Sequence, residues 1–176
     1  MPTNLETVFS YCLDKIDHPV YAVETGCSFL WEEWALPFIS TLNIVKYLVA
    51  PTGGMLYSLD NDKDKIAICR MNMDRLGLGR YVSFIHGDSV DSLYRLPANN
   101  VNFAWLDSSE DSGHAQSEFL ALQLSLQKKH IVCVDDYGCQ NSVKWQKISE
   151  AIKTSFDNYK EYDTPTGLIV GVRGSK

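Results

Sequence analysis

Short apolar runs recur along the chain, and each is followed at once by polar residues that include an acid. The first run begins at Val20, reaches Glu24 and turns at Gly26. The four later runs cover residues 55–59, 81–85, 101–106 and 131–134. Runs that are apolar on nearly every position are typical of strands covered on both faces of a parallel sheet. Because the carboxyl ends of such strands meet at one edge, the pattern predicts an acid-rich ligand site there.

The segments between these runs carry apolar residues at three- and four-residue intervals, which is the pattern of amphipathic helices that pack on a sheet. We predict helices over residues 4–16, 40–49, 62–76, 89–94, 114–127 and 143–156. Ser40 and Thr41 are suited to cap the second helix, which Pro51 would end. Ser89 is suited to cap the fourth helix.

Two last apolar runs, Tyr159–Tyr162 and Leu168–Val172, are joined by a short turn. A connection this short forces the two strands to pair antiparallel. The sequence therefore predicts an α/β fold of three layers, with a mostly parallel seven-stranded sheet that ends in an antiparallel hairpin. A chain of 176 residues, 45% of them hydrophobic, is long enough for one well-buried core, so we predict a single domain over residues 1–176.

Charge and cysteine content narrow the classes of function. A formal net charge of -6 is unlike the basic face of proteins that bind a phosphate backbone, so we expect no nucleic-acid partner. The five cysteines form an odd set without a close CxxC pair, which favours a reducing compartment. The N-terminus lacks the pattern of a signal peptide, and no apolar run approaches the roughly 20 residues that cross a bilayer. We therefore expect a cytoplasmic protein with no membrane partner.

The residues at the ends of the five helix-connected strands form a recognisable set. They are Glu24-Thr25-Gly26-Cys27-Ser28, Asp60, Gly87-Asp88-Ser89, Leu106-Asp107 and Asp135-Asp136-Tyr137. Together with the terminal hairpin, this set resembles the class I S-adenosylmethionine-dependent methyltransferases in their small, single-domain form. The resemblance covers nearly the whole chain. It implies a Rossmann-like three-layer sandwich, S-adenosylmethionine as the cofactor and methyltransferase activity.

Individual residues of the set suit this cofactor. Gly26 has no Cβ, so its backbone can approach the carboxypropyl group closely. Asp60 can accept hydrogen bonds from both ribose hydroxyls, as the acid after the second strand does in nucleotide-binding sheets. Asp88 would face the adenine edge, and Glu24 would anchor either the loop or the amino group of the ligand. The implied cofactor-binding set is Glu24, Gly26, Cys27, Ser28, Asp60, Asp88, Ser89 and Asp107.

One segment departs from the family pattern. The family's first motif is richer in glycine, whereas here Gly26 is followed by a bulky segment from Cys27 to Pro37. It resembles an insertion seen in some members. Its Trp31 and Trp34 suit a lid or a wall of the substrate site.

Three acids also resemble a metal-ligand set. In the cation-dependent O-methyltransferases, catechol O-methyltransferase among them, an acid after strand four and an acid-amide pair after strand five hold magnesium. The matching residues here are Asp107, Asp135 and Asp136, and Asp136 stands where that group often has asparagine. Three carboxylates that converge on one crevice repel one another, and a divalent cation such as Mg²⁺ relieves that repulsion. The alternative is that these acids cap loops, pair with Lys144 or orient the substrate without a metal.

The implied reaction is methyl transfer from S-adenosylmethionine to an oxygen or nitrogen nucleophile of a small-molecule acceptor. Asp107, Asp136 and His114 are the predicted catalytic residues that face this acceptor. A non-catalytic nucleotide-binding or assembly module on the same fold is an alternative. A nicotinamide-dependent oxidoreductase is a further alternative, although the residues after Gly26 do not supply the G-x-G-x-x-G turn that it needs. We also expect a homodimer that walls the exposed crevice.

Overall fold

The computed structural model describes residues 3–28, 39–108, 111–136 and 146–174. The elements along these residues are α1 (Leu5–Leu13), β1 (Tyr21–Thr25), α2 (Ser40–Ile44), α3 (Ala50–Thr52), β2 (Met55–Asp60), α4 (Lys63–Arg75), β3 (Val82–His86), α5 (Ser89–Tyr94), β4 (Val101–Leu106), α6 (Ser112–Leu122), β5 (Leu126–Asp135), α7 (Gln146–Ser155), β6 (Asn158–Tyr162) and β7 (Leu168–Arg173). In this part of the chain, no helix is long and apolar enough to span a membrane.

The strands form one seven-stranded sheet in the order β3-β2-β1-β4-β5-β7-β6. The first five strands pair parallel, and β7 pairs antiparallel with both β5 and β6. This confirms the predicted sheet and its terminal hairpin. The strand order reverses between β1 and β4, and in open α/β sheets the crevice beside such a reversal is where ligands bind.

Two apolar cores cover the two faces of the sheet. Helices α1, α2 and α4 pack on one face, and α5, α6 and α7 pack on the other. The central strand β4 is buried at every position, with Phe103 and Trp105 in the first core and Ala104 and Leu106 in the second. This alternation follows from the two-residue period of a strand and produces the predicted three layers.

Helix α2 begins without the predicted cap. Its N-cap residue is Ile39, whose side chain cannot accept a hydrogen bond. The hydroxyls of Ser40 and Thr41 instead donate to the carboxylate of Glu24 on β1. The predicted cap is therefore wrong, because a buried acceptor on the neighbouring strand takes the hydroxyls that would otherwise cap the helix.

The chain stays helical through Pro51, where we predicted that it would stop. A π-helical turn over Val45–Val49 leads into the short helix α3, and Pro51 lies in the first turn of that helix. Pro51 thus follows a place where the regular hydrogen-bond ladder is already interrupted, since bonds in a π-helical turn run to the fifth residue back.

Three other boundaries also differ from the prediction. Asp88 rather than Ser89 caps α5, since its Oδ1 accepts from the N–H of Asp91 at 3.0 Å. Helix α6 ends at Leu122, and β5 already begins at Leu126 because pairing with β4 and β7 extends it. The predicted start of α7 lies outside the described residues, as does most of the segment from Cys27 to Pro37.

Candidate functional site

A pocket of about 450 Å³ opens at the carboxyl edge of the sheet, beside the point where the strand order reverses. Its wall includes residues from the ends of β1, β2 and β3 and from the loop and helix that follow β4. The predicted site residues that line it are Gly26, Asp60, Asp88, Ser89 and His114. A more open depression of about 770 Å³ lies elsewhere, along α4, and is lined by residues such as Ile66 and Met71. Five of the predicted site residues therefore lie together in the wall of one pocket at the sheet edge.

Gly26 is required by the backbone that surrounds it. Its φ is +83°, a left-handed conformation that favours glycine, and its N–H donates to the carbonyl of Leu59 at 2.8 Å. A Cβ at this position would lie 2.5 Å from the carbonyl oxygen of Asp107. The absence of a side chain thus lets the loop after β1 pass against the end of β4, a neighbour that the sequence did not indicate.

Glu24 is fully buried behind the pocket wall and is surrounded by hydroxyl groups. Its Oε1 accepts from Thr41 and Ser58 at 2.7 Å each, and its Oε2 accepts from Ser40 at 3.1 Å. Burial raises the pKa of Glu24 to about 7, although these hydrogen bonds oppose the shift. Thr41 in turn accepts from the N–H of Ser28 at 3.0 Å. Of the two predicted roles for Glu24, the structure shows contacts that anchor the loop.

Asp60 ends β2 and holds the same loop from its other side. Its Oδ2 accepts from the N–H of Cys27 at 3.0 Å, and its Oδ1 accepts from the N–H of Asp62 at 2.9 Å. The Nζ atom of Lys65 lies 3.2 Å from Oδ2 of Asp60. Burial lowers the pKa of Lys65, but the Asp60 carboxylate outweighs it, so the net pKa is raised. A carboxylate held in this way presents its charge at the pocket in one fixed orientation.

Cys27 lies behind the pocket and contacts a second cysteine. A hydrogen bond with Cys69 of α4, together with burial, raises the pKa of the Cys27 thiol. Both thiols are buried. A buried thiol with a raised pKa is a weak nucleophile, so this pair packs the loop against α4.

His114 lies in the pocket wall, on the first turn of α6. Its Nε2 lies 2.9 Å from the hydroxyl of Ser89 and 3.4 Å from Oε1 of Glu118. Asp111 caps α6 by accepting from the N–H of His114 at 2.7 Å. The structure therefore joins two predicted site residues, Ser89 and His114, which are 25 residues apart in the chain.

Glu118 was not among the predicted site residues. It is buried in α6, where it accepts from Ser108 and from Thr25 as well as facing His114. A glutamate in the middle of a helix usually faces solvent, so its residue type alone gives no signal. The informative signal is its spacing, because His114 and Glu118 share a helix face with the buried Ala115 and Ala121.

The predicted metal set does not assemble. Among the described residues, which include Asp107, Asp135 and Asp136, no group of three His, Cys, Asp or Glu side chains could hold a metal ion. Asp135 is instead occupied by the protein, since its Oδ1 accepts from the hydroxyl of Thr166 at 2.7 Å and from the N–H of Asp136 at 2.8 Å. Asp136 has a left-handed backbone with a φ of 61°. The prediction of Mg²⁺ at these acids is therefore not supported.

Asp107 follows β4, and its backbone joins that strand to β1. Its N–H donates to the carbonyl and to the hydroxyl of Thr25, at 3.1 Å and 3.2 Å. Its side chain is half-buried, and the charge of Asp107 helps to raise the pKa of Lys65. Asp107 thus lies next to the pocket, beside the lining residue Ser108.

Solved structures with this fold include methyltransferases. A methyltransferase from Geobacter sulfurreducens superposes with a TM-score of 0.70 at 13% identity, covering 96% of this chain and 77% of that protein. A candidate methyltransferase from Streptococcus mutans, solved in complex with S-adenosylhomocysteine, has a TM-score of 0.68 at 10% identity, with 98% and 99% covered. A candidate O-methyltransferase from Klebsiella pneumoniae has a TM-score of 0.69 at 14% identity, with 98% and 81% covered. Identities this low establish the similarity of fold alone.

Sequence comparison supplies the family. No curated protein sequence matches the chain. The methyltransferase domain family, however, matches residues 39–137, which is more than half of the chain and spans the residues from α2 to the end of β5. The chain therefore belongs to the methyltransferase domain family, and it has the Rossmann-like fold of the class I S-adenosylmethionine-dependent methyltransferases.

Proposed function

We propose that the protein is a single methyltransferase domain over residues 1–176 that transfers a methyl group from S-adenosylmethionine to a small molecule. The acceptor atom in this proposal is an oxygen or a nitrogen. The observation that carries the proposal is the pocket of about 450 Å³ at the carboxyl edge of the sheet, whose wall combines carboxylates, hydroxyls and a glycine turn. Its volume and polar lining suit one nucleoside-sized ligand.

The cofactor contacts follow from the pocket wall. Asp60 would accept from the ribose hydroxyls, and Asp88 and Ser89 would border the base. The Gly26 turn would face the amino-acid part of the ligand. Glu24, Cys27 and Ser28 would act from behind, because their hydrogen bonds tie the loop to α2 and to β2.

The sulfonium of S-adenosylmethionine makes the methyl group reactive, so the protein mainly aligns the acceptor with it. Asp107 and Asp136 follow adjacent parallel strands and would face the acceptor. His114 lies within the pocket wall itself, and its contact with Ser89 favours a role toward the ligand in that pocket. No step in this proposal passes through a metal ion.

Calorimetry with S-adenosylhomocysteine tests the cofactor part of the proposal. We expect the wild-type protein to bind this ligand and Asp60→Asn to bind it at least about tenfold more weakly, because the ribose would lose a charged acceptor. Asp64→Asn is the matched control, since Asp64 lies exposed in the first turn of α4. Equal affinity in all three proteins, or no binding by the wild type, contradicts the proposal.

A second experiment addresses the acceptor. The protein is incubated with methyl-labelled S-adenosylmethionine and a cell extract, and the products are separated by size. Label in the small-molecule fraction supports the proposal. Label confined to protein or nucleic acid contradicts the acceptor class, and cofactor binding without transfer supports the alternative of a non-catalytic module. The cytoplasmic location, the homodimer and the lack of a nucleic-acid partner stay predictions.

A further inference from the structure

Glu118 is a buried acid behind the pocket, and the proposed reaction gives it no role. Its side chain is 2% exposed, whereas His114, which it faces, is 29% exposed and reaches the pocket. A carboxylate at this depth needs donors around it, since burial without them is unfavourable. Two hydroxyl groups supply those donors to Glu118, and His114 lies beside the same carboxylate.

Hydroxyl groups at the ends of two strands donate to Glu118. The Thr25 hydroxyl oxygen already accepts from the N–H of Asp107 at 3.2 Å, so its hydrogen is available for Oε2 of Glu118 at 3.4 Å. The hydroxyl of Ser108 donates to Oε1. The carboxylate therefore joins the ends of β1 and β4 through one side chain.

His114 is the third neighbour of Glu118, and its position fixes where a hydrogen must lie. Oε1 of Glu118 is 3.4 Å from Nε2, and a bare nitrogen lone pair would be repelled by a carboxylate at that distance. Nε2 therefore carries a hydrogen. The Ser89 hydroxyl, 2.9 Å from the same nitrogen, then accepts from Nε2 and keeps its own hydrogen for another partner. Because Ser89 lines the pocket, that hydrogen is available to a ligand bound there.

We infer that Glu118 is a positioning residue that makes Ser89 a hydrogen-bond donor to the bound cofactor, acting through the protonated Nε2 of His114. The pocket would thereby select a ligand atom that accepts a hydrogen bond at Ser89, such as a ring nitrogen or a hydroxyl oxygen, over one that can only donate. This inference rests on the proposed binding of S-adenosylmethionine in the pocket. It adds the direction in which one hydrogen bond runs and the residue that sets it.

A double-mutant cycle on the affinity for S-adenosylhomocysteine tests whether Glu118 acts through Ser89. Ser89→Ala removes the donor and should weaken binding about tenfold, and Glu118→Gln should weaken it about fivefold, because a neutral amide no longer requires a hydrogen on Nε2. In the double variant, the Glu118 effect should vanish, so that its affinity stays within about twofold of Ser89→Ala alone. Glu150→Gln, an exposed change on α7, is the matched control and should bind as the wild type does. Independent, multiplying effects of Glu118→Gln and Ser89→Ala overturn the inference.

The tautomer of His114 provides a readout that loss of stability would not imitate. Two-bond proton–nitrogen spectra at a pH where His114 is neutral should show the hydrogen on Nε2 in the wild type and its loss from Nε2 in part of the Glu118→Gln population. A bare Nε2 in the wild type overturns the inference. If Glu118→Gln does not fold, the wild-type spectrum decides by itself, since it needs no variant. A wild-type protein that binds no S-adenosylhomocysteine defeats the proposed function, whereas normal binding by Glu118→Gln defeats this inference alone.

Discussion

Glu24 offers a sharp test of how the loop after β1 is held. The carboxyl is fully buried, and burial raises its pKa from the ordinary 4.5 to about 7. The folded protein therefore binds this proton more tightly than the unfolded chain does. Stability from Glu24 is present below pH 4.5, falls as the pH rises, and is lost above pH 7. Between pH 5 and pH 8, these two pKa values correspond to a loss of about 2.5 kcal/mol in the free energy of unfolding.

The assay is urea denaturation of the wild type and of Glu24→Gln at both pH values. The amide does not titrate, so the fall in stability between pH 5 and pH 8 should be smaller in the variant by about 2 to 3 kcal/mol. Comparing the two proteins cancels the titration of all other groups. Glu150→Gln, on the exposed side of α7, should leave the fall unchanged. The same pH dependence in wild type and Glu24→Gln would refute the reasoning.

Three further changes probe the turn, a buried histidine and the core. Gly26→Ala should destabilise the protein by about 2 kcal/mol or more, and Gly77→Ala by only about 1 kcal/mol. Both residues have a positive φ, but a Cβ at Gly77 meets no atom within 4 Å, so equal losses on urea denaturation would contradict this. Burial lowers the pKa of His130, so its contribution to stability is full above pH 6.5 and falls below that pH. His130→Asn should therefore lose less stability between pH 7 and pH 5.5 than the wild type does, and an equal loss in the two proteins would contradict this. Phe9→Ala, which removes ring contacts in the first core, should cost about 3–5 kcal/mol, whereas Leu120→Ala at a 65% exposed position should stay within about 0.5 kcal/mol by the same assay.

The sheet could be predicted from the sequence because its central strands are buried on both faces. Runs such as 101–106 and 131–134 are apolar at nearly every position, and each ends at polar residues that mark the carboxyl edge. The length of β5 could not be predicted. Residues 126–130 are mostly polar, and they join the strand because Leu126 pairs with Val101 of β4 and His130 pairs with Arg173 of β7.

The candidate site was harder to predict because its contacts link residues distant in sequence. Thr41 and Ser89 have the residue type of helix caps, and their neighbours in the chain favour that interpretation. Their hydroxyls instead contact Glu24, 17 residues away, and His114, 25 residues away. Glu118 was missed for the same reason, since a local pattern does not show which helix face meets the ends of β1 and β4.

The central claim is that the pocket at the sheet edge holds the cofactor, and a crystal structure with S-adenosylhomocysteine tests it most directly. We predict the ligand between the Gly26 turn and Ser89, with its ribose hydroxyls on the carboxylate of Asp60. Ligand in the depression along α4, or a ribose that does not contact Asp60, would contradict the claim.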